Sequence, residues 1–281
     1  MKPTIQPSAA WTANAERFAG FAQTYNRFRP RPPRIVADIL SQLAQVQRPA
    51  LVVDLGCGTG LSTRIWTCRA KRVIGIDPSD GMLQEARRRT RATNVTYLHG
   101  LSHKTGLGDA CADIVMCSQS LHWMEPASTF GEAARILRKG GVFAAIDCDW
   151  PPVTASWRAD RAYRELMHQI GAVERRLARA GKLPRPLMNL HRWPKEGHLQ
   201  RMQQSGRFRY AREILICNVE TGNADRYAGL AMSFGSAQTL LKAGMTQSQI
   251  GMAAFKRKVH RLLGPTPRPW YFSYRLRVGI V

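Results

Sequence analysis

The chain has 281 residues, 44% of them hydrophobic, and carries 42 lysines and arginines against 19 acidic residues, a formal net charge of +23. That length holds one large α/β domain or two small ones, and the composition is that of a globular protein. No apolar run approaches the roughly 18 residues of a membrane helix, and the opening "MKPTIQPSAAWTANAERF" has no apolar signal core, so a cytoplasmic protein with no membrane partner is expected.

In chain order, "YNRFRPRPPRIVADILSQLAQ" begins with prolines and then sets Ile35, Val36, Ile39, Leu40 and Leu43 at helical spacing. "ALVVDLG" reads as a short buried strand ending at glycine. "LSTRIWTCRA" suits a helix opening just past Gly60, and "KRVIGIDPS" is a second strand stopped by Pro78. "SDGMLQEARRRT" follows as a helix with Ser79 as N-cap and arginines in its last turn, where the helix dipole favours cations. "NVTYLHG" and "ADIVMCSQS" are the third and fourth strands. "PASTFGEAARILRKGG" is a helix with Pro126 early and Gly140 at its end, and "GVFAAIDCDW" is the fifth strand. Strands alternating with helices imply parallel pairing through right-handed crossovers, a doubly wound, Rossmann-like α/β fold with helices on both faces.

After Trp150 the rhythm changes. "SWRADRAYRELMHQIGAVERRLARAG" reads as a long amphipathic helix and "KLPRPLMNLHRWPKEGHLQ" as a polar, proline-rich loop. "YAREILICNVE" looks like a strand. Two or three helices then precede "PWYFSYRLRVGIV", whose alternation of Phe272, Tyr274 and Leu276 with Ser273, Arg275 and Arg277 predicts a terminal strand. The two later strands bring the expected sheet to seven, mostly parallel.

The glycine-rich stretch "VVDLGCGTGLST" raises the question of function. In a doubly wound sheet the ligand sits beyond the carboxyl ends of the strands, and glycines let the backbone approach it. Gly56, Gly58 and Gly60 are spaced G-x-G-x-G, with Leu61 where a dinucleotide fingerprint needs its third glycine. A P-loop's G-K-[ST] is absent, and Asp54 would repel a pyrophosphate. Asp77 ends the second strand seventeen residues past Gly60, where a carboxylate accepts both hydroxyls of an adenosine ribose. Met82 and Leu83, one turn into the next helix, can cover an adenine face. The six cysteines form no C-x-x-C pair and read as buried reduced thiols. No pair of the seven histidines has zinc spacing, and no H-E-x-x-H occurs, so no metal is expected.

Together "VVDLGCGTG", "VIGIDPSDGML" and "ADIVMCSQSLHWM" resemble the class I S-adenosylmethionine-dependent methyltransferases, in particular their type-11-like, small-molecule group. The resemblance covers roughly residues 20 to 150. It implies S-adenosyl-L-methionine as cofactor, with Asp54, Gly56, Gly58 and Gly60 forming the methionine-binding turn. It implies Asp77 as the ribose carboxylate, followed by Pro78 and by Met82 on the adenine. Ser118 and Gln119 fall where the family's fourth strand borders the sulfonium. The family often carries an acidic residue near the adenine amino group. Here Leu101 and Ser102 occupy that region, so the Ser102 hydroxyl and a backbone N–H are expected there. "YNRFRPRPP" resembles the family's N-terminal lid, with Tyr25 over the cofactor and Arg29 on its carboxylate. The implied organisation is a single domain over 1–281. It comprises a lid over 1–33, a cofactor-binding core over 34–150, a helical cap insert over 151–208 on the acceptor side, and a C-terminal part over 209–281 that completes the sheet.

Methyl transfer from a sulfonium asks the protein mainly to align the acceptor and exclude water. His122, in "SQSLHWM" at the end of the fourth strand, is placed to act as a general base or to orient the acceptor. Tyr163, His168, Arg175, Arg179 and Trp193 are candidate lining of an acceptor pocket. The expected function is methyl transfer to a small-molecule acceptor, with an anionic one among the options. Which atom is methylated stays open, as does the oligomeric state. The alternatives are an RNA or protein methyltransferase using the basic second half, which carries 23 basic and 7 acidic residues after Trp150, or a cofactor-binding protein without methyl transfer. Basic residues in "RRLAR" and "KRKVHR" spread around their helices rather than forming one stripe, so no specific nucleic-acid partner is expected.

Overall fold

In the computed structural model, residues 14, 17, 18, 20–188 and 191–281 are described, so the first thirteen residues of the expected lid lie outside them. The strands are β1 (Leu51–Leu55), β2 (Arg72–Asp77), β3 (Val95–His99), β4 (Ala112–Ser118), β5 (Leu137–Cys148), β6 (Tyr210–Gly222) and β7 (Arg268–Ile280). They form one seven-stranded sheet in the order β3-β2-β1-β4-β5-β7-β6. β1 pairs in parallel with β2 and β4, β2 with β3 and β4 with β5, whereas β7 runs antiparallel to β5. The sheet is therefore mostly parallel. Strand order reverses between β1 and β4, the switch point at which open α/β sheets bind ligands.

The helices are α1 (Ala22–Phe28), α2 (Ile35–Leu43), α3 (Asp80–Arg89), α4 (Pro126–Ile136), α5 (Trp157–Arg179), α6 (His198–Gln204), α7 (Ala224–Met232), α8 (Gly235–Lys242) and α9 (Met252–Leu263). The chain divides into two compact units. A sheet unit takes residues 31–148, 191–216 and 274–281, and a helical unit takes 1–30, 149–190 and 217–273, so β6 and β7 are each divided between them. The sheet unit's core joins Val53, Leu55, Ile76 and Val115 to an aromatic trio, Phe130, Phe143 and Phe208, with ring centroids 5.4–5.6 Å apart. The helical unit packs Tyr163 of α5, Tyr227 of α7 and Phe255 of α9 ring against ring. Among the described residues no helix is long and apolar enough to cross a membrane.

Three local expectations differ from the structure. No α-helix follows Gly60; a 3-10 turn covers only Thr63–Trp66. The Ser62 and Thr63 hydroxyls both donate to Asp54 at 2.7 Å, which holds this segment to the sheet. α4 ends at Ile136, not Gly140, because Leu137 already pairs with Ala112 and the Arg138 guanidinium reaches Asp113 at 2.5 Å. Finally, Cys57, Cys117 and Cys148 are buried as expected, but Cys68, Cys111 and Cys217 are exposed.

Asp113 ties the start of β1 to β4. Its Oδ2 accepts from the Ala50 N–H at 2.6 Å and the Leu51 N–H at 3.2 Å, while Oδ1 takes the Arg138 guanidinium. Replacing Asp113 with Ala leaves buried donors unanswered and a cation without its carboxylate. Asp113→Ala is expected to cost roughly 2–4 kcal/mol of stability, read as a lower urea midpoint with unchanged slope.

Candidate active site

The site begins with a desolvated carboxylate. Asp54 lies in β1, whose five residues are all buried, and is itself fully buried. Its Oδ2 takes the Ser62 and Thr63 hydroxyls, while Oδ1 is buried with no partner among the described residues. Burial pushes the Asp54 carboxyl up to about 7, the two hydroxyl bonds opposing the shift and Asp77 adding to it.

Beyond Asp54 the chain turns back over β2. The Gly56 and Cys57 N–H groups both donate to the Ile76 carbonyl, at 2.7 and 3.1 Å. Gly56, Gly58 and Gly60 all have left-handed φ, at 66°, 54° and 76°, where side chains are strained. A Cβ on Gly56 would lie 2.6 Å from Ser120 Cβ, and one on Gly60 would overlap the Tyr97 hydroxyl. One on Gly58 would meet nothing within 4 Å, so the turn is open there. An open glycine next to a buried carboxylate with an unanswered oxygen fits a ligand that brings a cation close to the backbone.

Asp77, the last residue of β2, is 8% exposed. Its Oδ2 accepts from the Gly58 N–H and its Oδ1 from the Ser79 N–H, both at 2.9 Å. Burial raises its carboxyl to about 6 against those two bonds. Ser79 precedes α3, but its side chain makes no capping bond; the Asp77 carboxylate answers the Ser79 amide instead. Pro78 is half-buried, its carbonyl 3.0 Å from the His99 ring, and Met82 is buried in the first turn of α3. The Ser102 hydroxyl is 3.0 Å from that of Thr129.

The carboxyl ends of β4 and β5 lie side by side. Ser118 pairs with Ile146, and the Gln119 N–H extends that ladder to the Ile146 carbonyl at 2.8 Å. Gln119 has φ +56°, a conformation sparsely populated outside glycine. His122 sits in the next turn, 5% exposed, its ring centroid 4.8 Å from that of Trp123 and its carbonyl accepting from the Trp193 N–H at 2.9 Å. Its Nδ1 is 3.9 Å from Asp147 Oδ1.

Asp147 anchors an ionic group that sequence reasoning missed. Lys195 Nζ meets its Oδ1 at 2.7 Å and Arg277 its Oδ2 at 2.8 Å. Lys195 also donates to Gln119 Oε1 at 2.8 Å, and Arg277 pairs with Glu213 at 2.8 Å. Nearby, burial lowers the His198 imidazole to about 4, so it is neutral. One signal was present in the sequence: Asp147 and Arg277 are charges inside apolar strands, and such charges need partners. Nothing in the sequence indicated Lys195, from a proline-rich segment.

The remaining candidates belong to the helical unit or its surface. Tyr25 and Arg29 are in that unit, where the Arg29 guanidinium lies 5.0, 5.1 and 4.1 Å from the Tyr25, Trp150 and Phe234 ring centroids and donates to the Ser233 carbonyl. Tyr163 is buried in the aromatic core, and His168, Arg175 and Arg179 are exposed on α5. Trp193 is in the sheet unit with the Arg201 guanidinium over its ring at 5.7 Å.

The fold is a doubly wound α/β domain with a glycine turn and two buried carboxylates at its switch point. Residues 53–145 match the family model described as a methyltransferase domain. A malonyl-[acyl-carrier protein] O-methyltransferase of Pectobacterium atrosepticum is 34% identical over 166 residues, covering 56% of this chain and 64% of that one. An uncharacterized methyltransferase of Mycobacterium bovis is 34% identical over 125 residues, covering 44% and 49%. The chain thus spans about half the length of several curated relatives it matches. A candidate type II methyltransferase from Anaeromyxobacter dehalogenans shares the fold, with a TM-score of 0.64 at 22% identity over 90% of this chain and 98% of that one. Over residues 53–145 the chain thus matches a methyltransferase domain, and its curated relatives and its fold are those of methyltransferases.

A raised carboxyl binds its proton more tightly in the folded chain than in the unfolded one. Its contribution to stability is full below about pH 4 and is lost as pH rises toward 7. The ligand-free protein is therefore expected to lose stability from Asp54 over that window. Urea unfolding of wild type and Asp54→Asn at pH 5 and pH 8 checks this: the difference between them should shift in favour of the variant at pH 8. Gly56→Ala, strained in φ and crowded by Ser120, is expected to destabilise the turn by roughly 1–3 kcal/mol, whereas Gly58→Ala should cost less because its side is open.

Proposed function

We propose that the chain transfers a methyl group from S-adenosylmethionine to a small-molecule acceptor that presents a carboxylate. The cofactor reading is carried by Asp54 Oδ1, a buried carboxylate oxygen without a donor among the described residues, beside a turn open at Gly58. The cofactor's ammonium group is the cation that answers it. Asp77 would hold the ribose hydroxyls, Pro78 and Met82 would cover the adenine, and Ser102 would border it. Ser118 and Gln119 border the sulfonium. Arg29 is engaged by three rings and a carbonyl, which supports a structural role for it.

When bound, the cofactor supplies an electrophilic methyl, and the acceptor oxygen forms the new carbon–oxygen bond as the carbon–sulfur bond breaks toward sulfur. A carboxylate is already ionised near pH 7, so no residue has to remove a proton. The chain's own work is orientation and the exclusion of water. His122, held by its backbone bond to Trp193, acts as an orienting group in this reading. The malonyl-[acyl-carrier protein] O-methyltransferases among the relatives support a carboxylate acceptor, and the net charge of +23 favours encounter with an anion.

Calorimetry is expected to give binding of S-adenosylmethionine and S-adenosylhomocysteine and none of NAD, with Asp77→Ala weakening the first two by roughly 1.5–3 kcal/mol. Labelled methyl should pass from the cofactor to a malonyl thioester, or to a carboxylic acid in a metabolite extract, as alkali-labile ester. Label that resists alkali, or that enters RNA or a protein's own side chains, would overturn the carboxylate reading.

A further inference from the structure

We propose that Gln119 is the hydrogen-bond donor that receives the acceptor's carboxylate and that Lys195 is the positioning residue that fixes its direction. The inference rests on the methyltransferase reading above and assigns the acceptor side of that site. Three observations carry it, all within the sheet unit.

The first is the sense of the amide. An ammonium group donates only, so the Gln119 atom 2.8 Å from Lys195 Nζ is its carbonyl oxygen, and Nε2 is directed the other way. The second is that Nε2 is buried and has no partner among the described residues. A buried N–H donor left unanswered is costly, and an oxygen of a ligand is the group that answers it. The third is the effort with which the structure holds Gln119. Its backbone is in the left-handed region at φ +56°, tied to the Ile146 carbonyl at 2.8 Å. Lys195 is in turn held by Asp147 at 2.7 Å, and Asp147 by Arg277, which is 2% exposed. This chain of contacts runs from the antiparallel strand β7 through β5 to the end of β4. Its last member sets a donor at the carboxyl end of the fourth strand.

The geometry also selects the ligand's chemistry. A buried donor on an amide whose carbonyl is already committed to Lys195 suits an acceptor oxygen and opposes an N–H. Lys195 and Arg277 are balanced by Asp147 and Glu213, so the amide selects an acceptor oxygen by hydrogen bonding, and the carboxylate follows from the functional reading above.

The test measures two affinities and a rate for wild type, Gln119→Glu, Lys195→Met and Lys195→Arg. The probes are S-adenosylhomocysteine, by calorimetry, and a malonyl thioester or metabolite extract, by transfer of labelled methyl. In Gln119→Glu the donor becomes an anion, so KM for the acceptor should rise at least tenfold, well beyond any change in S-adenosylhomocysteine affinity. Lys195→Met should raise KM in the same way, and Lys195→Arg should restore most of it, which a general loss of structure would not do. Melting temperatures of the four proteins identify any variant that fails to fold. If Gln119→Glu weakens S-adenosylhomocysteine as much as it weakens the acceptor, Gln119 serves the cofactor and the proposal is overturned. Transfer that survives Gln119→Glu unchanged overturns it too, leaving the methyltransferase reading intact. No alkali-labile transfer by wild type to any of these acceptors overturns the functional reading and this proposal together.

Discussion

Burying a carboxylate costs several kcal/mol unless something answers its charge, and this sheet buries three of them toward the carboxyl ends of its strands. Asp54 is in β1, Asp77 closes β2 and Asp147 lies one residue from the end of β5. Each is at most 8% exposed. The local structure around the switch point follows from how each is satisfied. Asp54 draws in two hydroxyls, and the segment after the glycine turn becomes a 3-10 turn. Asp77 takes two backbone amides and thereby orders both the turn and the start of α3. Asp147 takes two cations from distant parts of the chain and so brings Lys195 to the end of β4.

The three are satisfied to different degrees. Asp147 has full-strength ionic partners on both oxygens. Asp77 is answered by amides alone and Asp54 by hydroxyls on one oxygen only, and burial raises both carboxyls toward neutrality. Raised carboxyls beside an open glycine turn are suited to a ligand that brings its own hydroxyls and its own positive charge. A site already saturated by the protein would gain nothing from such a ligand. The tightly paired Asp147 instead serves as a fixed point from which neighbouring side chains are aimed.

The glycine turn and the carboxylate after it were legible because they are local. Gly56, Gly58 and Gly60 are needed at left-handed φ within one turn, and Asp77 is needed at the end of the next strand, so sequence spacing alone carries the pattern. Strand and helix order followed from apolar runs broken by glycine and proline. The errors fell where a side chain competed with local propensity. Thr63 and Ser62 bond to Asp54 instead of continuing a helix, and Arg138 is drawn to Asp113 where the pattern suggested another turn of α4.

The sequence by itself determined the doubly wound order, the mostly parallel sheet, and the glycine turn with its two carboxylates, since each depends on neighbours within a few tens of residues. Only the tertiary structure decided the ionic group around Asp147. Gln119, Asp147, Lys195 and Arg277 are separated by up to 158 positions in the numbering, and no spacing rule links them. They meet because β5 pairs with β4 on one edge and β7 on the other, and because a buried aspartate in that central strand requires cations from wherever the fold can supply them.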